Sequence, residues 1–281
     1  MGTSTRLGRE AIKLILLTGR LVKRKGNRMW RSDAGLEGKS VVVTGAAGGI
    51  GRSIVKGFAE AGSKVLLVDI PGSSLREVRD SLAGDGHEIF EVNLADISTH
   101  AAIFRRAQSM APLAALTHCA AVIRRRSTVD EVTEEDWDFQ IDINLKATFF
   151  LNRSARDSFK SAGTKGSIIN FSSQGWWSGG YGGSVVYAAS KGGVVSMTKG
   201  LARSFAPEGI RVNSVSPGGV DTSMMVDTLS AEALQSFISL IPMGRLAEPD
   251  EMVGAVLFLA SEASTFVTGT VVNVSGGQLM Y

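Results

Sequence analysis

From Ser40 onwards, short blocks of β-branched and aliphatic residues alternate with longer stretches of helical period. Ser40–Thr44 (SVVVT) and Lys64–Val68 (KVLLV) are the clearest blocks, followed by 88–92, 115–119, 167–171, 210–215 and 271–274. Runs this short and this rich in Val, Ile and Leu predict strands. Apolar residues recur at helical spacing in 51–61, 98–108, 134–161, 187–205 and 249–260, which predicts helices between the strands. A strand that is apolar on both faces needs cover on both. Strands alternating with amphipathic helices therefore give an α/β fold, a single doubly wound parallel sheet with helices on both faces.

The first 35 residues do not join this alternation. Residues 1–31 hold nine lysines and arginines against one acid, Glu10, whereas the whole chain of 281 residues has a net charge of only +3. The body is therefore mildly acidic, which argues against a nucleic-acid partner. Residues 1–35 are read as a basic N-terminal extension and 36–281 as one folded domain. Leu7, Ala11, Leu14, Thr18, Leu21 and Val22 recur at helical spacing beside Arg9, Lys13, Arg20 and Arg24. Such a segment suits an anionic membrane surface; a targeting leader and an arm packed on a neighbouring subunit stay open beside that reading. No apolar run reaches the roughly 18 residues of a membrane span. One cysteine, Cys119, excludes an internal disulfide and points to the cytoplasm, and three scattered histidines offer no metal site.

Candidate chemistry begins directly after the first strand, where Thr44-Gly45-Ala46-Ala47-Gly48-Gly49-Ile50-Gly51 leads into a helix. Glycines at a strand-to-helix turn let the backbone approach a pyrophosphate, and the helix N-terminus supplies N–H groups and a positive dipole end. Asp69 closes the second strand, near the position about 20 residues on where a carboxylate accepts from the ribose hydroxyls. A carboxylate there repels a 2′-phosphate. Arg52 begins the helix and is read as solvent-facing, so no basic residue offsets Asp69. The expected cofactor is NAD rather than NADP.

Tyr187-Ala188-Ala189-Ser190-Lys191 places a phenol and an ammonium four residues apart on one helix face. It follows Ser167–Phe171 and the pair Ser172-Ser173. The TGxxxGxG loop, the strand-borne serine and YxxxK, in this order, resemble the short-chain dehydrogenase/reductase family over roughly residues 38–278. The resemblance implies a Rossmann-like fold and an NAD(P)-dependent oxidoreductase interconverting a secondary alcohol and a ketone. It implies Tyr187 as general acid and base, Lys191 as the cation that favours phenolate, and Ser173 rather than Ser172 on the reacting oxygen. Asn144 matches the family position that anchors a relay water. Asn93 and Leu94 fall beside the adenine and Ala120 along the adenosine. Pro217-Gly218-Gly219-Val220-Asp221-Thr222 resembles the family's PGxVxT segment, with Val220 and Thr222 at the carboxamide. A homotetramer or homodimer is implied too.

The chain departs from that pattern in places. His118-Cys119-Ala120-Ala121 stands where the family has NNAG, and His118 is read as a core replacement. The glycine-rich loop before Tyr187 is slightly longer than the family's and carries Trp176, Trp177 and Tyr181. These rings are expected to wall the substrate, or else to cap the core or meet another subunit. Residues 224–240 are expected to form a substrate lid. A dinucleotide-binding regulator or scaffold without turnover is the rival reading.

Overall fold

The computed structural model describes residues 35–180, 182–227 and 229–281. The extension, up to residue 34, and Tyr181 lie outside the described residues, and with them the membrane, leader and arm readings. Seven strands form one sheet: β1 Ser40–Thr44, β2 Lys64–Asp69, β3 Glu88–Glu91, β4 Leu113–His118, β5 Ser167–Phe171, β6 Arg211–Pro217 and β7 Val271–Val274. Their order is β3-β2-β1-β4-β5-β6-β7, and every neighbouring pair is parallel. The chain leaves β3 and crosses to β4, so the switch point falls between β1 and β4. In such sheets the carboxyl ends of the strands at the switch point open into a crevice.

Period-two alternation within the strands explains the two-sided cover. Val42, Leu66, Leu116, Ile168 and Val212 face one core with Ile103, Phe104, Leu151, Phe159 and Leu201. Their neighbours Val41, Val43, Val65, Leu67, Ile169 and Val215 face the other, with Ile54, Phe58, Val256 and Leu259. The helices are α1 Gly49–Glu60, α2 Leu75–Asp80, α3 His100–Met110, α4 Glu134–Ile141 and α5 Ala147–Ser161. After these come α6 Gly175–Ser178, α7 Val185–Phe205, α8 Ser223–Val226, α9 Ala231–Ser239 and α10 Val253–Ala260. No described helix is long and apolar enough to cross a membrane.

One predicted helix is not continuous. A π-helical turn, Asp142–Lys146, separates α4 from α5 and holds the buried Asn144. Its extra residue per turn rotates Asn144 towards the loop after β4, and wide turns of this kind recur at functional sites. α4 starts at a capping box, with the Thr133 hydroxyl accepting from Asp136 N and the Asp136 carboxylate accepting from Thr133 N. That box fixes where the loop from β4 re-enters a helix.

Candidate active site

The crevice over the switch point is a cleft of about 1370 Å³. On one side the chain turns at Gly45, whose φ of +67° lies in the left-handed region. A Cβ there would stand 2.7 Å from Ala120 N. Gly51 is tighter still, since a Cβ would sit 2.0 Å from Gly45 O. No side chain caps α1 at Gly48, and no acid stands in its first turn. A bare helix start against a cradle that any side chain would fill fits a pyrophosphate. Gly45, Gly48, Gly49, Ile50 and Gly51 all line the cleft, as do Asp69, Asn93, Leu94, Ala120, Pro217, Gly218, Val220 and Thr222, the last packed against Gly49.

Asp69 is held by backbone. Its Oδ2 accepts from Ala47 N at 2.9 Å and its Oδ1 from Ile70 N at 2.8 Å. Arg52 is exposed, as expected, and its guanidinium is also engaged on the surface. Its Nε donates to Ala47 O at 2.9 Å, Nη1 donates to Glu77 at 3.4 Å, and Nη2 contacts Ser74. The guanidinium therefore spans from the glycine loop to the start of α2, where Glu77 offsets its charge.

At the other end, Ser173, Tyr187 and Lys191 line the same cleft. α7 places Tyr187 and Lys191 one turn apart, with the Lys191 Nζ 5.6 Å from the centre of the phenol ring. The ammonium donates to Phe171 O at 2.9 Å, and burial pulls its pKa down to about 8. Burial raises the Tyr187 phenol, while a hydrogen bond with Ser173 and the charge of Arg125 pull it back down. The two serines divide their work: Ser172 Oγ donates to Lys191 O at 3.0 Å, whereas Ser173 Oγ accepts from Gly175 N at 3.2 Å and meets the phenol. Arg125 is a cation near Tyr187 that the sequence reading did not single out.

Asn144 lies behind the cleft rather than in its wall. Its Oδ1 accepts from Val122 N at 2.8 Å, and its Nδ2 donates to Val122 O at 2.8 Å and to Ser190 Oγ at 3.2 Å. Ser190 Oγ in turn donates to Tyr187 O at 2.7 Å, so one amide ties the β4 loop to the turn that carries the phenol. His118 is also more than a core filler. Its ring bridges Thr44 Oγ1 at 2.6 Å and Thr148 Oγ1 at 2.9 Å, and Thr148 donates to Asn144 O at 2.7 Å. Burial, then the Lys191 charge, hold His118 neutral with a pKa near 3.

The aromatic loop departs from the substrate-wall reading. Trp176 and Trp177 are not among the residues lining the cleft. They pack edge to face with ring centres 5.4 Å apart, and Tyr281 closes the cluster at 4.9 Å from Trp176. The turn of α6 swings both indoles outward, where the end of the chain offers them a third ring. Their backbone neighbours Gly175, Ser178 and Gly180 reach the cleft instead. Opposite stand Met224, Met225, Leu229, Ala233, Phe237 and Leu240, all from the segment read as a lid. Gln278 and Leu279, which sequence reasoning passed over, complete the wall.

A family model described as Enoyl-(Acyl carrier protein) reductase matches residues 45–278. The chain is 35% identical over 250 residues to a dog (3R)-3-hydroxyacyl-CoA dehydrogenase, covering 85% of this chain and 95% of the relative. It is 36% identical over 247 residues to the 3-oxoacyl-[acyl-carrier-protein] reductase FabG of Thermotoga maritima, covering 86% and 98%. A short-chain dehydrogenase/reductase from Brucella melitensis, described as a glucose/ribitol dehydrogenase, superposes with a TM-score of 0.80 at 31% identity, covering 88% of this chain and 98% of that one. A putative NAD(P)-dependent gluconate 5-dehydrogenase from Beutenbergia cavernae, with bound NADP at low occupancy, gives 0.79 at 33% identity, covering 88% and 98%. With the glycine cradle, the Ser173–Tyr187–Lys191 group and these likenesses together, the chain belongs to the short-chain dehydrogenase/reductase family and is an NAD(P)-dependent oxidoreductase acting on CH–OH groups.

Proposed function

We propose that the chain uses NAD(H) in preference to NADP(H), and that Tyr187 handles the proton when a secondary alcohol and a ketone interconvert. The observation that carries this reading is the half-buried Tyr187 phenol, beside Ser173 and one helical turn from Lys191, in the wall of a cleft whose other end is the glycine cradle. When bound, the dinucleotide supplies the hydride acceptor or donor. The N–H groups at the start of α1 would hold its pyrophosphate, Asp69 its adenosine ribose, Asn93, Leu94 and Ala120 the adenosine flank, and Pro217, Gly218, Val220 and Thr222 the nicotinamide end.

In alcohol oxidation, Tyr187 takes the hydroxyl proton as the carbon gives up its hydride; in ketone reduction it returns that proton to the oxygen. Ser173 fixes the reacting oxygen against the phenol and stabilises charge as it develops. Lys191, anchored on Phe171 O, favours the phenolate, because an unperturbed tyrosine with pKa about 10 is poorly matched to neutral pH. Asn144 is a positioning residue, acting through Ser190 and Val122. The relatives named as 3-hydroxyacyl-CoA dehydrogenase, 3-oxoacyl reductase and gluconate dehydrogenase all convert between a hydroxyl carbon and a ketone, which supports this reaction class.

Asp69 supports NAD, since its carboxylate lies where a 2′-phosphate would approach, and Arg52 is already engaged by Glu77. A cytoplasmic homo-oligomer is part of the proposal. Trp137, Phe149 and Val185 are exposed on α4, α5 and α7 and offer an apolar face for a second copy. The test is a spectrophotometric screen of secondary alcohols and ketones with each dinucleotide. NADH-linked turnover with kcat/KM above that for NADP is expected; a preference for NADP would overturn the cofactor assignment, and no turnover with either would overturn the reaction.

A further inference from the structure

Arg124, Arg125 and Arg126 follow one another on the segment between β4 and α4. The outer two are tied to one buried carboxylate. Arg126 donates to both oxygens of Asp136, at 2.7 and 2.9 Å, and Arg124 donates to Asp136 at 3.3 Å and to Glu135 at 2.9 Å. Asp136 is the N3 residue of the α4 capping box and only 1% exposed, so this anchor is rigid. Arg125 and Arg126 both line the cleft that holds Ser173 and Tyr187, but the Arg126 guanidinium is held on Asp136, whereas the charge of Arg125 acts on the Tyr187 phenol.

Arg125 pairs with no carboxylate among the described residues. Asp69 is the one acid on the cleft wall there, and β1 and β4 separate its strand from β5, which leads to Ser173. A second feature lies in the same cleft. Gln174 and Gln278 both present a buried Oε1 with no hydrogen-bond partner. Buried polar atoms left unpaired are costly, and a ligand that donates to them removes the cost.

We propose that Arg125 binds the carboxylate of the substrate while Gln174 and Gln278 accept from its further hydroxyls, so that the substrate is a hydroxylated carboxylic acid or the matching oxo acid. The proposal rests on the oxidoreductase reading and adds the substrate class to it. One guanidinium balances one negative charge, which suits a carboxylate better than a phosphate monoester carrying about two. Arg125 also fixes orientation: a carboxylate seated on it presents the carbon chain, and the hydroxyl to be oxidised, towards Tyr187.

The test uses full-length protein and matched pairs, D-gluconate with D-gluconamide and 3-hydroxybutyrate with its amide, with glucose 6-phosphate as the phosphate arm. Each acid is expected to exceed its amide in kcat/KM by about 10- to 100-fold, the range for a charge-assisted hydrogen bond, mainly through KM. Arg125→Gln should erase that ratio and Arg125→Lys keep part of it. Gln278→Leu should raise KM for gluconate more than for 3-hydroxybutyrate. Equal use of acid and amide, a preference for the phosphate ester, or an Arg125→Gln variant that lowers both members equally would each overturn the proposal; the last would place the arginine's effect on Tyr187 instead. Should neither acid nor amide turn over, calorimetric titration of gluconate into NADH-loaded wild type and Arg125→Gln decides, and equal affinities overturn the carboxylate site. Absence of turnover with every alcohol and ketone counts against the oxidoreductase reading alone.

Discussion

His118→Asn is expected to flatten the acid side of the stability curve. The hydroxyl hydrogen of Thr148 goes to Asn144 O, so the ring Nε2 must carry the hydrogen that reaches Thr148 Oγ1. Nδ1 is then the acceptor for the Thr44 hydroxyl, whose oxygen stands 3.5 Å from Ala120 N. A second proton on Nδ1 would lose the Thr44 bond inside a buried site already near Lys191. The folded pKa accordingly falls from 6.5 to about 3. Between those values the unfolded chain binds the proton and the folded chain does not. Stability from this residue is therefore fully present above pH 6.5 and is lost as pH falls through that window.

The loss runs at about 1.4 kcal/mol per pH unit, so descending from about pH 7.5 to about 4.5 removes roughly 3 kcal/mol on account of His118. Asparagine cannot bridge both threonines, and its own cost at neutral pH is about 1–3 kcal/mol. Urea unfolding of wild type and variant at the two pH values measures the difference. The gap between them should close by roughly 3 kcal/mol at the lower pH. His100, whose pKa burial also lowers, is common to both proteins and cancels. Parallel pH slopes would refute the argument, as would ring nitrogen shifts showing His118 doubly protonated at pH 6.

Three further outcomes follow from the same geometry. Gly51→Ala places a methyl group 2.0 Å from Gly45 O, so the loop must shift; NAD affinity by fluorescence titration should fall at least about 10-fold. Asn144→Ala strands the Val122 N–H and carbonyl, and should cost at least about 2 kcal/mol in chemical unfolding and lower kcat as Tyr187 loses its backbone tie. Asp69→Ala should narrow the NAD-to-NADP ratio of kcat/KM, mainly by weakening NAD; an unchanged ratio would remove the carboxylate from cofactor choice.

The strands were legible because SVVVT, KVLLV and SIINF carry the same apolar character on both faces, which few other structures can use. The glycine loop was legible for a steric reason, as Gly45 and Gly51 leave no room for a Cβ. Other features depend on partners distant in sequence. Nothing near Asn144 announces a π-helical turn, because what it turns towards is Val122, on another segment. Trp176 and Trp177 have the composition of a substrate wall, but Tyr281, at the far end of the chain, draws them outward. Arg125 was hidden in a run of three arginines whose difference appears only once Asp136 is seen to hold the other two.

The account's central claim is that Tyr187 carries the proton in a cleft that binds the dinucleotide independently of it. Tyr187→Phe, assayed for turnover and for NADH binding in parallel, tests both halves at once. The phenyl ring keeps the packing of α7 and removes only the hydroxyl that meets Ser173. Turnover should fall by at least about 10²-fold, the lower range for a positioned acid or base, with the NADH dissociation constant little changed. Near-normal turnover in that variant would contradict the account.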